Sequence, residues 1–107
     1  MKLTRPGAAA ALAAVFFCWP AAAQDAQKVK AGAEIYERNC SPCHGARMMD
    51  PQGASDLRKF PHDQHERFVT SVTRGKNQMP PWGGLLKSED VEALWTYVVN
   101  AEDIYGH

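Results

Sequence analysis

Apolar and polar positions along this chain fall into three helical stretches separated by loops. In the first, residues 25–39, Val29, Gly32, Ala33 and Tyr36 share one face at spacings of three and four, and Cys40 follows in the same register. The second, residues 63–74, reads "DQHERFVTSVTR" and carries a stripe of His65, Phe68, Val69 and Val72. Asp63 offers an N-cap with Glu66 three residues on, and Gly75 offers the stop. The third starts near Ser88 and runs to about Asn100, with Val91, Leu94, Trp95 and Val98 on one face. Glu89, Asp90 and Glu92 in its first turn suit the positive end of the helix dipole. No stretch sustains the two-residue alternation of a strand, so the pattern predicts a small all-α domain of three or more helices.

The segments between them, "GARMMDPQGAS" at 45–55 and "GKNQMPPWGG" at 75–84, carry glycine and proline without periodicity and read as loops. The first 23 residues belong to neither pattern. Lys2 and Arg5 supply a positive start, a run of small and apolar residues follows to Phe17, and Ala21 and Ala23 fit a small-x-small cleavage site. This predicts a secretory signal peptide over 1–23 and a mature domain over 24–107. The apolar part is shorter than the roughly 20 residues that span a bilayer, and Pro20 sits near its end. Cys18 follows the bulky Phe16 and Phe17 rather than small residues, so it is read as part of the discarded segment, not as a lipidation site.

Charge excludes more than it suggests. Lysine and arginine together equal aspartate and glutamate, at 12 each. Loss of Lys2 and Arg5 with the signal would leave the mature chain two charges negative. That balance gives no footprint for nucleic acid and no basic membrane patch. So small a domain has a marginal core and gains from a disulfide, a metal or a cofactor.

The chemistry is concentrated in "NCSPCHG" at 39–45. In a helical turn Cys40, Cys43 and His44 project to nearly the same side. Three readings compete. A redox dithiol expects the C-x-x-C to open a helix after a strand, and here it closes a helical pattern. A zinc site needs further ligands, and His62, His65 and His107 fall in no paired ligand spacing. The third is covalent attachment of c-type haem: thioether bonds from Cys40 and Cys43, and His44 as axial ligand to the iron. Export and the need for an apolar prosthetic group favour haem c, and a haem-free chain is then expected to be largely unfolded.

For the opposite axial position the candidates are Met48, Met49, Met79, His62 and His65. Met48 and Met49 follow His44 too closely to cross to the other face of a flat ring. Met79 lies far enough along, and Pro80 and Pro81 stiffen the loop behind it. A His44/Met79 pair favours ferrous iron, raises the potential relative to two histidines, and leaves one-electron transfer as the chemistry. The competing functional class is a haem enzyme or gas-binding sensor with an open or displaceable sixth position.

With "CSPCH", "MPPW", "GAEIY" before and "EALWTYV" after, the sequence resembles the class I c-type cytochromes over nearly all of the mature chain. The resemblance implies a small cytochrome c fold wrapped around one covalent haem, and an electron carrier rather than an enzyme. It implies that Gly32 and Tyr36 meet Leu94 and Tyr97 where the first helix crosses the last. It also implies a backbone carbonyl accepting from the other ring nitrogen of His44, with Pro51 the candidate, and haem propionate contacts from Trp82, Arg58 and Lys59. The combination of "DLRKFP", "GKNQMPPWGG" and "LWTYV" looks most like small periplasmic cytochromes associated with quinoprotein (PQQ) alcohol dehydrogenases. Its partners would then be redox proteins: a periplasmic dehydrogenase as donor, and a terminal oxidase or another cytochrome as acceptor. The near-neutral composition departs from lysine-ringed cytochromes, so docking is expected to rest on an apolar patch at the haem edge.

Overall fold

Helix α1, Ala21–Asn39, begins before the predicted start because nothing in the alanine-rich residues 21–23 opposes a helix. This is a computed structural model, and it describes residues 21–106. Most of the predicted signal segment therefore lies outside the described residues, while its last three residues form the start of α1. After Asn39 the chain kinks at Cys40 and continues as a single turn, α2, Ser41–His44. The Cys40 N–H still donates to the Tyr36 carbonyl at 2.7 Å, and the His44 N–H to the Cys40 carbonyl at 2.9 Å. The C-x-x-C-H segment thus extends the first helix with a change of direction.

Two 3₁₀ turns, Ala46–Met48 and Leu57–Lys59, shape the following loop. Helix α3, His65–Arg74, starts later than expected, with Gln64 and not Asp63 at its N-cap. The reason is a turn closed by the Gln64 N–H on the Pro61 carbonyl at 3.2 Å, which uses residues 61–64 before the helix begins. Gly75 ends α3 at φ +82°, a conformation that glycine adopts without steric cost. Helix α4, Ser88–Val99, begins where predicted, and the Asp90 carboxylate accepts the Lys87 N–H at 2.9 Å. A fifth helix, α5, Ala101–Tyr105, follows a break at Asn100. The periodicity did not reveal it, since α5 is a turn and a half long. The Tyr97 and Tyr105 hydroxyls, 2.6 Å apart, tie it back to α4.

The core sits where α1 crosses α4. A Cβ built on Gly32 would lie 2.1 Å from the Ala93 carbonyl oxygen and 2.8 Å from the Tyr97 Cβ, so only glycine permits this approach. Tyr36 and Tyr97 pack with ring centroids 5.4 Å apart, and Leu94 is buried beside them. The expected crossing through Gly32 and Tyr36 is present. Trp95 points to the other side and joins Phe60, Phe68 and His65 in an aromatic cluster between α3 and α4. The domain is all-α; among the described residues the single bridge of β type joins Lys76 to Met79.

Candidate functional site

The helices close around a cavity of about 900 Å³ rather than around a solid centre. Its lining includes Tyr36, Cys40, Cys43 and His44, Phe68 and Val72 of α3, Leu94 and Val98 of α4, and Met79 and Trp82. Residues separated by up to 62 positions in sequence therefore meet at one space. His62 and His65, two of the other sixth-position candidates, do not line it.

Each side chain is held by identifiable backbone contacts. His44 Nδ1 lies 3.0 Å from the Ser55 carbonyl oxygen. A carbonyl can only accept, so Nδ1 carries the proton and Nε2 is left with its lone pair. The expected partner, Pro51, is displaced by this contact because the loop 46–55 makes two tight turns before it returns to the histidine. The Gln52 N–H donates to the Cys43 carbonyl at 3.0 Å and fixes that return. Gly45 sits at φ +90°, and a Cβ there would fall 1.6 Å from the Met49 carbonyl oxygen. The Gly45 carbonyl accepts the buried Tyr36 hydroxyl at 2.6 Å. Tyr36 thus anchors the residue next to His44, a role that helical periodicity alone could not reveal.

Met79 is positioned by a two-residue turn. Lys76 and Met79 exchange backbone hydrogen bonds of 3.1 and 2.9 Å around Asn77, which sits at φ +56°. Asparagine is among the few residues that tolerate this region, which was the available sequence signal. Beyond Pro80 and Pro81, the Trp82 and Gly83 N–H groups donate to the Val72 and Thr73 carbonyls at 2.8 and 3.1 Å. The Met79 loop is therefore strapped to the last turn of α3 at both ends.

The other candidates separate. Trp82 and Lys59 line the cavity. Arg58 does not: its guanidinium pairs with Asp56 through two 3.0 Å contacts and reaches Met49 Sδ at 3.5 Å. Asp56 in return holds its carboxyl below the usual range, chiefly through that hydrogen bond. Met48 is fully buried in the core, and His65 turns away from the cavity toward Glu92 at 2.8 Å.

The chemistry of the donor set fits haem. Cys40 and Cys43 are unpaired thiols at the wall of an apolar cavity. Burial pushes the Cys40 thiol up to about 11, with Cys43 and Glu37 adding to it. A dithiol catalyst needs a depressed thiol pKa, so the shift runs against that reading. Among the described residues no group of three or more His, Cys, Asp and Glu side chains is arranged to hold a metal ion by itself. Two spaced thiols, an imidazole and a thioether around one cavity of about 900 Å³ suit a large iron-containing ring.

Comparison with known proteins agrees with this geometry. Residues 27–98 match the family model described as cytochrome c oxidase, cbb3-type, subunit III. The chain is 40% identical to cytochrome c6 of Microcystis aeruginosa, over 64% of this chain and 90% of that protein. It is 36% identical to cytochrome c6 of Nostoc sp., over 81% of this chain and 80% of that protein. It is also 29% identical to quinohemoprotein alcohol dehydrogenase ADH-IIG of Pseudomonas putida, over 80% of this chain but only 12% of that protein.

Proposed function

We propose the following role for this chain, which belongs to the class I c-type cytochromes: an exported monohaem carrier whose iron is held by His44 and Met79. The family implies one covalent haem c, and the chain is an electron carrier, not an enzyme. In our reading Cys40 and Cys43 would hold the haem through thioether bonds, and His44 Nε2 and Met79 Sδ would hold its iron. The observation that carries this is that His44 and Met79, 35 residues apart, line the same cavity as both thiols.

When bound, the haem supplies a one-electron couple at its iron. The polypeptide tunes and protects that couple. The Ser55 carbonyl keeps the proton on His44 Nδ1 and orients the ring, which raises the donor strength of Nε2. Met79 brings a neutral, soft sulfur that favours the reduced state. Phe68, Val72, Leu94 and Val98 line the cavity and would shield a bound haem from water. Trp82 and Lys59, which both line the cavity, are candidates for propionate contacts, as is Arg58 beside Asp56.

The finer assignment is export to the periplasm after cleavage of residues 1–23, with a PQQ-dependent alcohol dehydrogenase as donor and a terminal oxidase as acceptor. It is supported by the signal-like N-terminus and by the partial likeness to a quinohemoprotein alcohol dehydrogenase. No helix among the described residues is long and apolar enough to cross a membrane.

The deciding experiment is Met79→Ala in the haem-loaded protein. Loss of low-spin character, a lower reduction potential and newly rapid carbon monoxide binding are expected. An unchanged spectrum and potential would remove Met79 from the iron. Rapid carbon monoxide binding by the unaltered protein would favour the sensor or enzyme class.

A further inference from the structure

The chain has three tyrosines, and all three belong to one connected series. Tyr36 lines the cavity and is buried in the core. Its ring centroid lies 5.4 Å from that of Tyr97, which is also fully buried. Tyr97 in turn lies 6.2 Å from Tyr105, centroid to centroid, and the two hydroxyls are 2.6 Å apart. Tyr105 stands on α5 and is partly exposed. Two steps between neighbouring rings thus join the cavity to the surface at the C-terminal helix. A phenol differs from the phenyl rings of Phe60 and Phe68 in one respect that matters here. It gives up an electron far more readily, provided that its proton has somewhere to go.

The hydroxyl partners decide where that proton goes. Tyr36 donates to the Gly45 carbonyl at 2.6 Å, and a backbone carbonyl is too weak a base to keep the proton. Burial holds Tyr36 and Tyr97 above the ordinary tyrosine range, so neither is ionised beforehand. An electron withdrawn from Tyr36 is therefore replaced from the next ring, and the vacancy is not trapped there. Tyr97 has an outlet. Its hydroxyl meets a second hydroxyl, which accepts the Tyr97 proton while passing its own to water. The partly exposed end of the series is thus where a phenoxyl radical persists and meets solutes. The cavity wall also includes two side chains that an oxidant would damage, the thioether of Met79 and the indole of Trp82.

We propose that Tyr36, Tyr97 and Tyr105 form a relay that draws oxidising equivalents out of the cavity, and that Tyr105 is the residue at which they emerge. The co-reactant is hydrogen peroxide reaching the cavity, and the relay rests on the haem site proposed above. In the net step one electron leaves Tyr105 for the cavity and its phenolic proton leaves for water, which makes Tyr105 a neutral phenoxyl radical. Hydrogen peroxide takes two electrons and two protons to become two waters, so each peroxide draws on the relay twice. Between withdrawals a water-soluble one-electron reductant of the ascorbate class returns an electron to Tyr105, together with a proton. Met79 and Trp82 are spared in the process.

The test adds hydrogen peroxide and the spin trap nitrosobenzene to the ferric, haem-loaded protein and maps the adducts by peptide mass spectrometry. Met79→Ala serves as a second background, in which loss of the thioether opens a coordination position to peroxide. The expected adduct lies on Tyr105, with a several-fold higher yield in Met79→Ala. Tyr97→Phe interrupts the relay and should cut the Tyr105 adduct several-fold. A Tyr97 hydroxyl that only tied down α5 would give the opposite sign, because a loosened Tyr105 is more open to radicals in solution. An unchanged or increased Tyr105 adduct in Tyr97→Phe would therefore overturn the inference, as would adducts on Trp82 in place of Tyr105. Tyr105→Phe, altered at the partly exposed end, should keep the low-spin spectrum and yet bleach several-fold faster under peroxide with ascorbate present. Equal bleaching would show that nothing leaves through Tyr105. A Met79→Ala protein that stays low-spin and does not consume peroxide would instead defeat the haem ligation proposed above, and the relay with it.

Discussion

His44 Nδ1 and the Ser55 carbonyl oxygen, 11 residues apart in sequence, lie 3.0 Å from each other across the loop that closes one side of the cavity. The contact fixes the imidazole tautomer before any ligand is considered. It also makes loop length a determinant of redox behaviour, because the carbonyl partner strengthens the imidazole as a donor to oxidised iron. Deletion of Ala54, which would draw Ser55 away, should raise the reduction potential while the iron stays low-spin. Potentiometric titration of the deletion variant checks this; an unaltered potential would show that Ser55 sets only orientation.

The α1–α4 crossing tolerates nothing larger than glycine at position 32. Gly32→Ala would place a methyl 2.1 Å from the Ala93 carbonyl oxygen, backbone against which no side chain can yield. The helices must separate, at a cost of roughly 1–3 kcal/mol or more. Denaturant unfolding of the haem-loaded variant should show a lower midpoint with little change in slope. The exposed neighbour Ala31→Ser serves as the control with a much smaller effect.

Tyr36 couples that crossing to the site. Its hydroxyl, in the core, donates to the Gly45 carbonyl at 2.6 Å, and burial holds the phenol well above the ordinary tyrosine range. Tyr36→Phe keeps the packing but removes one of two donors to the Gly45 carbonyl, which still accepts the Met48 N–H at 3.1 Å. The expected loss is about 0.5–1.5 kcal/mol of stability, read by denaturant unfolding.

His65 gives the fold a pH dependence away from the cavity. Its Nε2 meets the Glu92 carboxylate and its Nδ1 meets Glu66, which raise its pKa above the ordinary value of 6.5, the Glu92 hydrogen bond most of all. A raised folded-state value means that protonated histidine is stabilised by folding. The contribution is therefore complete below pH 6.5 and is lost as pH rises through the higher folded value. Glu92→Gln should flatten the pH dependence of unfolding in that window and return the ring's NMR titration toward 6.5. An identical titration in the variant would contradict the assignment.

The three main helices and the C-x-x-C-H turn were legible because each depends on local spacing that a linear pattern records. Val29, Gly32, Ala33 and Tyr36 announce a face, and two cysteines three apart announce a common direction. Contacts made by loop backbone were not legible. Pro51 was the expected partner of His44, and the chain delivers Ser55 instead, because the path of 46–55 depends on positive φ at Arg47, Met48 and Asp50 that no periodicity encodes. The pairing of Arg58 with Asp56 two residues earlier was likewise not anticipated.

Removal of the haem should expose how much of the fold depends on it. A cavity of about 900 Å³ walled by Phe68, Val72, Leu94 and Val98 would open apolar surface to water in the haem-free protein. Cys40→Ala with Cys43→Ala, purified without haem, should lose cooperative unfolding. A sharp, native-like transition would show that the helices stabilise one another without the ring.

The most direct measurement is the absorption spectrum of the purified, haem-loaded protein, first ferric and then ferrous. Ligation by His44 and Met79 requires low-spin spectra in both states, with the weak red-edge band of sulfur-bound ferric haem present and then absent in Met79→Ala. A high-spin ferric spectrum, or a red-edge band that survives loss of Met79, would contradict the proposed carrier site.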